Sequence, residues 1–101
     1  MKLVVAMGIE EHRDSLRNIF RDHQVLIYSE APIEGFRPRR GPTDPDNWFA
    51  SKPDGIFSHI VFAFVEDGTS TELLDAVRAW NERERPTSPL HAFQLSVERS
   101  A

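Results

Sequence analysis

The sequence predicts an α+β sandwich of βαββαβ order, in which two helices lie on one face of a four-stranded antiparallel sheet. Three observations carry that expectation. Two segments with helical spacing of apolar residues alternate with four short runs of β-branched and aromatic residues, giving two strand–helix–strand halves. One long irregular stretch separates the halves. The strand-like runs are also apolar on both of their alternating sides, unlike the strands of a sheet with one wet face.

A length of 101 residues suits a single domain, 1–101. KLVVAM (2–7), bounded by Gly8, reads as the first strand. IEEHRDSLRNIFRDHQ follows as a helix, with Ile9, Leu16, Ile19, Phe20 and His23 near one face. Glu10 and Glu11 fall in its first turn, where the positive end of the helix dipole favours acids. VLIYSE (25–30) reads as the second strand, and IFSHIVFAFVE (about 56–66) as the third. Asp67-Gly68 leads into the helix TSTELLDAVRAWNERER, where Thr69 as N-cap and Glu72 three residues on form a capping box. Leu73, Leu74, Val77 and Trp80 supply its buried stripe, and Pro86 and Pro89 end it. LHAFQLSVE (90–98) is the fourth strand. This order is most simply a split βαβ, or ferredoxin-like, sandwich.

The two-sided strands go further. Ile56, Ile60, Phe62 and Phe64 alternate with Phe57, Val61, Ala63 and Val65; Leu3, Val5 and Met7 alternate with Val4 and Ala6; Phe93, Leu95 and Val97 oppose Leu90 and Ala92. Two helices cover one face only, so the second is expected to meet another subunit.

Composition excludes several classes. With no cysteine there is no disulfide, thiolate zinc site or cysteine nucleophile, and a cytoplasmic location is the default expectation. A net charge of −4 argues against nucleic-acid binding. No apolar run reaches the ~20 residues that span a bilayer. The N-terminus runs straight into acidic residues, as a first strand does and a signal peptide does not. No nucleophile elbow, phosphate-binding Gly-Lys-Ser/Thr loop or Gly-x-Gly-x-x-Gly is present, so no enzyme activity and no catalytic residue is expected. His12, His23, His59 and His91 are the strongest candidate metal ligands, since neutral imidazole suits zinc, copper or nickel. For each, the competing reading is a buried imidazole bonded to backbone or carboxylate. In an oligomer one histidine per subunit could also meet its copies on an axis.

EGFRPRRGPTDPDNWFASKPDG (34–55) has no apolar period and is too polar and proline-rich to fold alone. Its place between the halves, the start KLVVAMGIEEHRDSLRNIF and the ending HAFQLSVERSA together resemble the PII-like superfamily of trimeric signalling and ion-responsive proteins. The start MKLVVAMGIEE, the segment IYSEAPIEGF and the stretch DNWF (Asp46 to Phe49) are most similar to small members encoded beside heavy-metal efflux pumps. The resemblance implies that about 31–55 corresponds to the T-loop, a mobile arm that docks onto transporters or enzymes. Phe36, Arg37, Arg39, Arg40, Trp48 and Phe49 are then its candidate docking residues, with the aromatics as anchors. Nucleotide-binding members carry Thr-Gly-x-x-Gly-Asp-Gly-Lys before the last strand; this chain has NERERPTSPLHAF, with no glycine and two prolines. No nucleotide site is therefore expected, and no cofactor beyond a divalent metal ion. The resemblance implies a non-enzymatic, homotrimeric regulator whose loop docks in response to ligand. It further implies a place in heavy-metal efflux or metal homeostasis, with a membrane transporter or efflux pump as partner. The alternatives are a metal-binding or buffering protein of the CutA divalent-ion tolerance type and, more weakly, a small ferredoxin-like enzyme.

Overall fold

β1 (Lys2–Ile9) is the spine of the sheet: Val4, Ala6 and Gly8 are buried on one side, while Leu3, Val5, Met7 and Ile9 keep partial exposure on the other. The computed structural model describes residues 1–36 and 55–101. After β1 come a 3-10 turn (Glu10–His12), α1 (Arg13–Asp22), β2 (Ser29–Phe36), β3 (Gly55–Val65), α2 (Asp67–Glu84) and β4 (His91–Ser96). The strands form one antiparallel sheet in the order β2-β3-β1-β4, so βαββαβ and the ferredoxin-like arrangement hold. No helix of the described residues is long and apolar enough to cross a membrane.

The register sorts every side chain to a face. Val4 opposes Ala63 and Gln94, and Ala6 opposes Val61 and Ala92, all on the helix-covered side. Onto these pack Leu16, Ile19 and Phe20 of α1 and Leu73, Val77 and Trp80 of α2. Val25 and Leu90 close the core from the connectors. Ser70 is fully buried, and its hydroxyl is satisfied by donating to Gln94 Oε1 at 2.5 Å. β1 passes close under the last connector: a Cβ on Gly8 would stand 2.5 Å from Leu90 Cδ2.

The opposite face has no cover among the described residues. Leu3, Val5 and Met7 lie there beside Ile60, Phe62 and Phe64 by register. Phe64, Phe93 and Leu95 are each more than half exposed. This is the two-sided apolar pattern expected from the strands.

Four elements have bounds that differ from expectation. The second strand is Ser29–Phe36, not 25–30, so β2 takes the first residues of the predicted insertion. VLIY is apolar for another reason. α1 ends in a Schellman motif, with Gln24 left-handed at φ 62, its N–H bonded to the Arg21 carbonyl, and the Val25 N–H bonded to that of Phe20, both at 3.0 Å. Val25 thereby drops into the core against Phe20, while Leu26 and Ile27 stay 87% exposed. The first helix is shorter than 9–24: Ile9 completes β1, and the chain passes through the 3-10 turn before α1 begins. The Thr69–Glu72 capping box does not form. α2 begins two residues earlier, at Asp67, with Glu66 as N-cap and no side-chain capping bond. Asp67 instead pairs with the amino terminus at 3.3 Å, and its carboxylate suits the first turn. The last strand is trimmed from 90–98 to His91–Ser96.

Candidate functional site

Four segments converge where β1 and β2 end and β3 begins: those three strand termini and the connector 85–90 between α2 and β4. They enclose a cleft of about 270 Å³. Met7, Ile33, Gly35, Ile56 and Ser58 contribute to it from the uncovered face, and Thr87, Ser88 and Pro89 from the connector. Phe36 and His91 complete it from the ends of β2 and β4.

The connector is held by the end of α2. Arg85 takes a left-handed conformation, φ 44, with its N–H on the Asn81 carbonyl at 2.9 Å, and Pro86 cannot continue the helix. The Asn81 amide then grips Leu90 as a strand neighbour would: Nδ2 donates to the Leu90 carbonyl and the Leu90 N–H donates to Oδ1, each at 2.9 Å. These paired hydrogen bonds press Thr87–Pro89 against the strand ends. On the other side of the connector His12 meets Trp80 edge-on, ring centroids 4.9 Å apart, beside a second cleft that Glu11, Ser15 and Glu84 also line.

The root of β2 is tied to α1. Arg17 Nε donates to Glu30 Oε2 at 2.7 Å and its Nη2 donates to Oε1, a two-pronged pair. Buried His59 lies beneath, its Nε2 3.3 Å from Glu30 Oε2 and out of line for a good hydrogen bond. The Arg17 hydrogen bonds hold the Glu30 carboxyl down at about 2, partial burial opposes them, and His59 adds to the lowering. The folded value lies below the ordinary 4.5, so this pair stabilises the fold above 4.5 and loses its contribution as pH falls from there toward 2. Glu30 is partly exposed, and solvent screening limits the effect to about 1 kcal/mol. Glu30→Gln is therefore expected to be less stable than wild type at neutral pH, with the difference closing across that acid window. Urea unfolding of both proteins at stepped pH checks this; a pH-independent difference would refute it.

The candidate docking residues divide. Phe36 ends β2, 61% exposed, and lines the cleft. Arg37, Arg39, Arg40, Trp48 and Phe49 lie outside the described residues. The four histidines are dispersed: His12 in the 3-10 turn, His23 just past α1 with Nδ1 donating to the Ile19 carbonyl at 2.8 Å, His59 on the helix side of β3, and His91 on the uncovered side of β4. Among the described residues no three of His, Asp and Glu are placed to hold a metal ion. Sequence reasoning reached Phe36 and His91 but missed Gly35, Ser58 and the Thr87-Ser88 pair. It also missed the Arg17–Glu30 tie.

No protein-family model matches the sequence, and no curated protein matches it. Solved structures do match. One is a protein of Thermus thermophilus described as a PII-like signalling protein, with TM-score 0.63 and 17% identity over 93% of this chain and 83% of that one. Another is CPII of Thiomonas intermedia, a nitrogen regulatory PII-like protein bound to ADP, AMP and bicarbonate. It matches with TM-score 0.61 and 13% identity over 99% of this chain and 94% of that one. The fold is the PII-like one. Within this PII-like fold the cleft lies at the root of the segment between β2 and β3, with the glycine-free connector as one of its walls.

Proposed function

We propose that the chain is a non-enzymatic regulator of the PII-like kind, assembled from three copies through the uncovered sheet face. A small ligand entering the cleft biases the arm between β2 and β3, and the arm docks onto a partner according to the population so selected. The carrying observation is that one continuous apolar face joins the expected subunit contact to a cleft lined by the arm's own root, Gly35 and Phe36. Ligand, assembly and arm would thus share one surface. Resemblance to the efflux-associated members supports metal homeostasis as the process and a heavy-metal transporter of the membrane as the partner.

The test pairs two measurements on one preparation. Light scattering is expected to give three chains per particle, both for wild type and for a variant with 37–54 replaced by a short Gly-Ser turn. Affinity capture from detergent-solubilised membranes is expected to enrich a metal-efflux transporter with wild type and lose it with the shortened variant. A monomer in the first measurement, or equal capture in the second, would overturn the reading.

A further inference from the structure

We infer that the cleft takes a small, flat, largely apolar ligand with a single hydrogen-bonding edge, an aromatic ring system that is uncharged or singly charged, and not a polyphosphate. The inference rests on the reading of this cleft as the sensing site and specifies what it senses. Size comes first: about 270 Å³ lies just under the ~300–1,000 Å³ usual for small-molecule pockets, room for one or two fused rings.

Chemistry comes second. Among the described lining residues there is no Lys or Arg to neutralise phosphate. The connector that would have to wrap a phosphate has Pro86 and Pro89, which lack amide donors. The polar side chains of the cleft are instead three hydroxyls and an imidazole, Ser58 of β3, Thr87 and Ser88 of the connector and His91 of β4, which are suited to hydrogen-bond the edge of a ring. Ser58 Oγ spends its proton on the Ile56 carbonyl at 3.1 Å and faces a ligand as an acceptor.

The third observation is Gly35. It sits in regular β2 opposite Ile56, without a left-handed φ. A Cβ there would meet Ser58 Oγ at 3.5 Å and the Ile56 carbonyl at 3.8 Å, ordinary contacts that would admit a side chain. Glycine inside a strand sacrifices stability relative to a residue with a side chain, because it loses more backbone freedom on folding. Here its effect is to leave peptide backbone bare on the apolar face, where a flat ring can lie directly on the sheet.

The experiment titrates the assembled protein with indole and with benzoate, and in parallel with inorganic phosphate and ATP, following backbone amides by ¹H–¹⁵N spectra. Saturable shifts at Gly35, Ser58, Ser88 and His91 are expected with the aromatic probes below millimolar concentration. Gly35→Val is expected to raise the thermal midpoint, because it favours the strand, and to weaken aromatic binding by about tenfold or more. If valine disturbs assembly, Gly35→Ala is read in its place. Phosphate or ATP saturating the same amides more tightly would overturn the inference. So would undiminished binding in the Gly35 variant, or no saturation by either aromatic probe at millimolar concentration. Light scattering on the same samples separates the outcomes: an intact trimer that ignores the aromatic probes refutes this ligand class alone, whereas a monomer refutes the regulatory assembly itself.

Discussion

Val5→Glu is expected to abolish the proposed assembly and leave a folded monomer at micromolar concentration. Val5 sits on the central strand, opposite Phe62 on one side and Phe93 on the other, in the middle of the uncovered face. In a free chain that face meets water, and the new carboxylate is hydrated there. In an assembly it would be buried among aromatic rings without a partner, at a cost of several kcal/mol per copy. Because each copy brings the same patch, the penalty multiplies with the subunit number. Light scattering reads the mass, and circular dichroism shows whether α1 and α2 survive. A Val5→Glu protein that assembles as wild type does would mean the face is not the contact.

Phe20→Ala acts on the other side of the sheet. Phe20 is fully buried, the largest side chain of which that is true among the described residues, and its ring lies 5.9 Å from that of Tyr28. Removing it deletes the central contact of α1 and opens a cavity, for which about 3–5 kcal/mol is expected. It also strips the apolar partner of Val25 that accompanies the Schellman end of α1, so the connector to β2 loosens together with the helix. A domain of this size has only ~5–15 kcal/mol in total, and the variant should be close to unfolded at 37 °C. Urea titration at fixed protomer concentration measures the loss, since assembly would otherwise mask part of it. A loss under about 1 kcal/mol would show that the site collapses around the gap.

The parts that were legible in the sequence are those where a period governs burial. The alternation in β1, β3 and β4 already separates the core side from the uncovered side, because a strand has no other way to place neighbouring residues. The stripe of α2 was legible for the same reason. β2 was misplaced because its real sequence, SEAPIEGF, carries two glutamates and a proline, whereas VLIY looks more strand-like and is a cap with two exposed side chains. The cleft was mostly hidden. Gly35, Ser58 and Ser88 carry no signal singly and are gathered only by register and by the Asn81 grip on Leu90. Arg17 and Glu30 are thirteen residues apart, and nothing in their spacing predicts a tie between a helix and an edge strand.

Pro32 makes the two margins of the sheet unequal. It lies in β2 opposite His59, and a proline fits a ladder only where its nitrogen points away from the neighbouring strand. The missing donor therefore falls on the outer margin of β2, breaking the row of amides that an incoming strand would need. The outer margin of β4, His91–Ser96, contains no proline and offers an unbroken row. Growth by strand addition is thus directional: a stray chain, or a fibril in formation, finds one margin closed at its middle and the other open. In the free chain it is therefore β4 rather than β2 whose margin needs protection from aggregation.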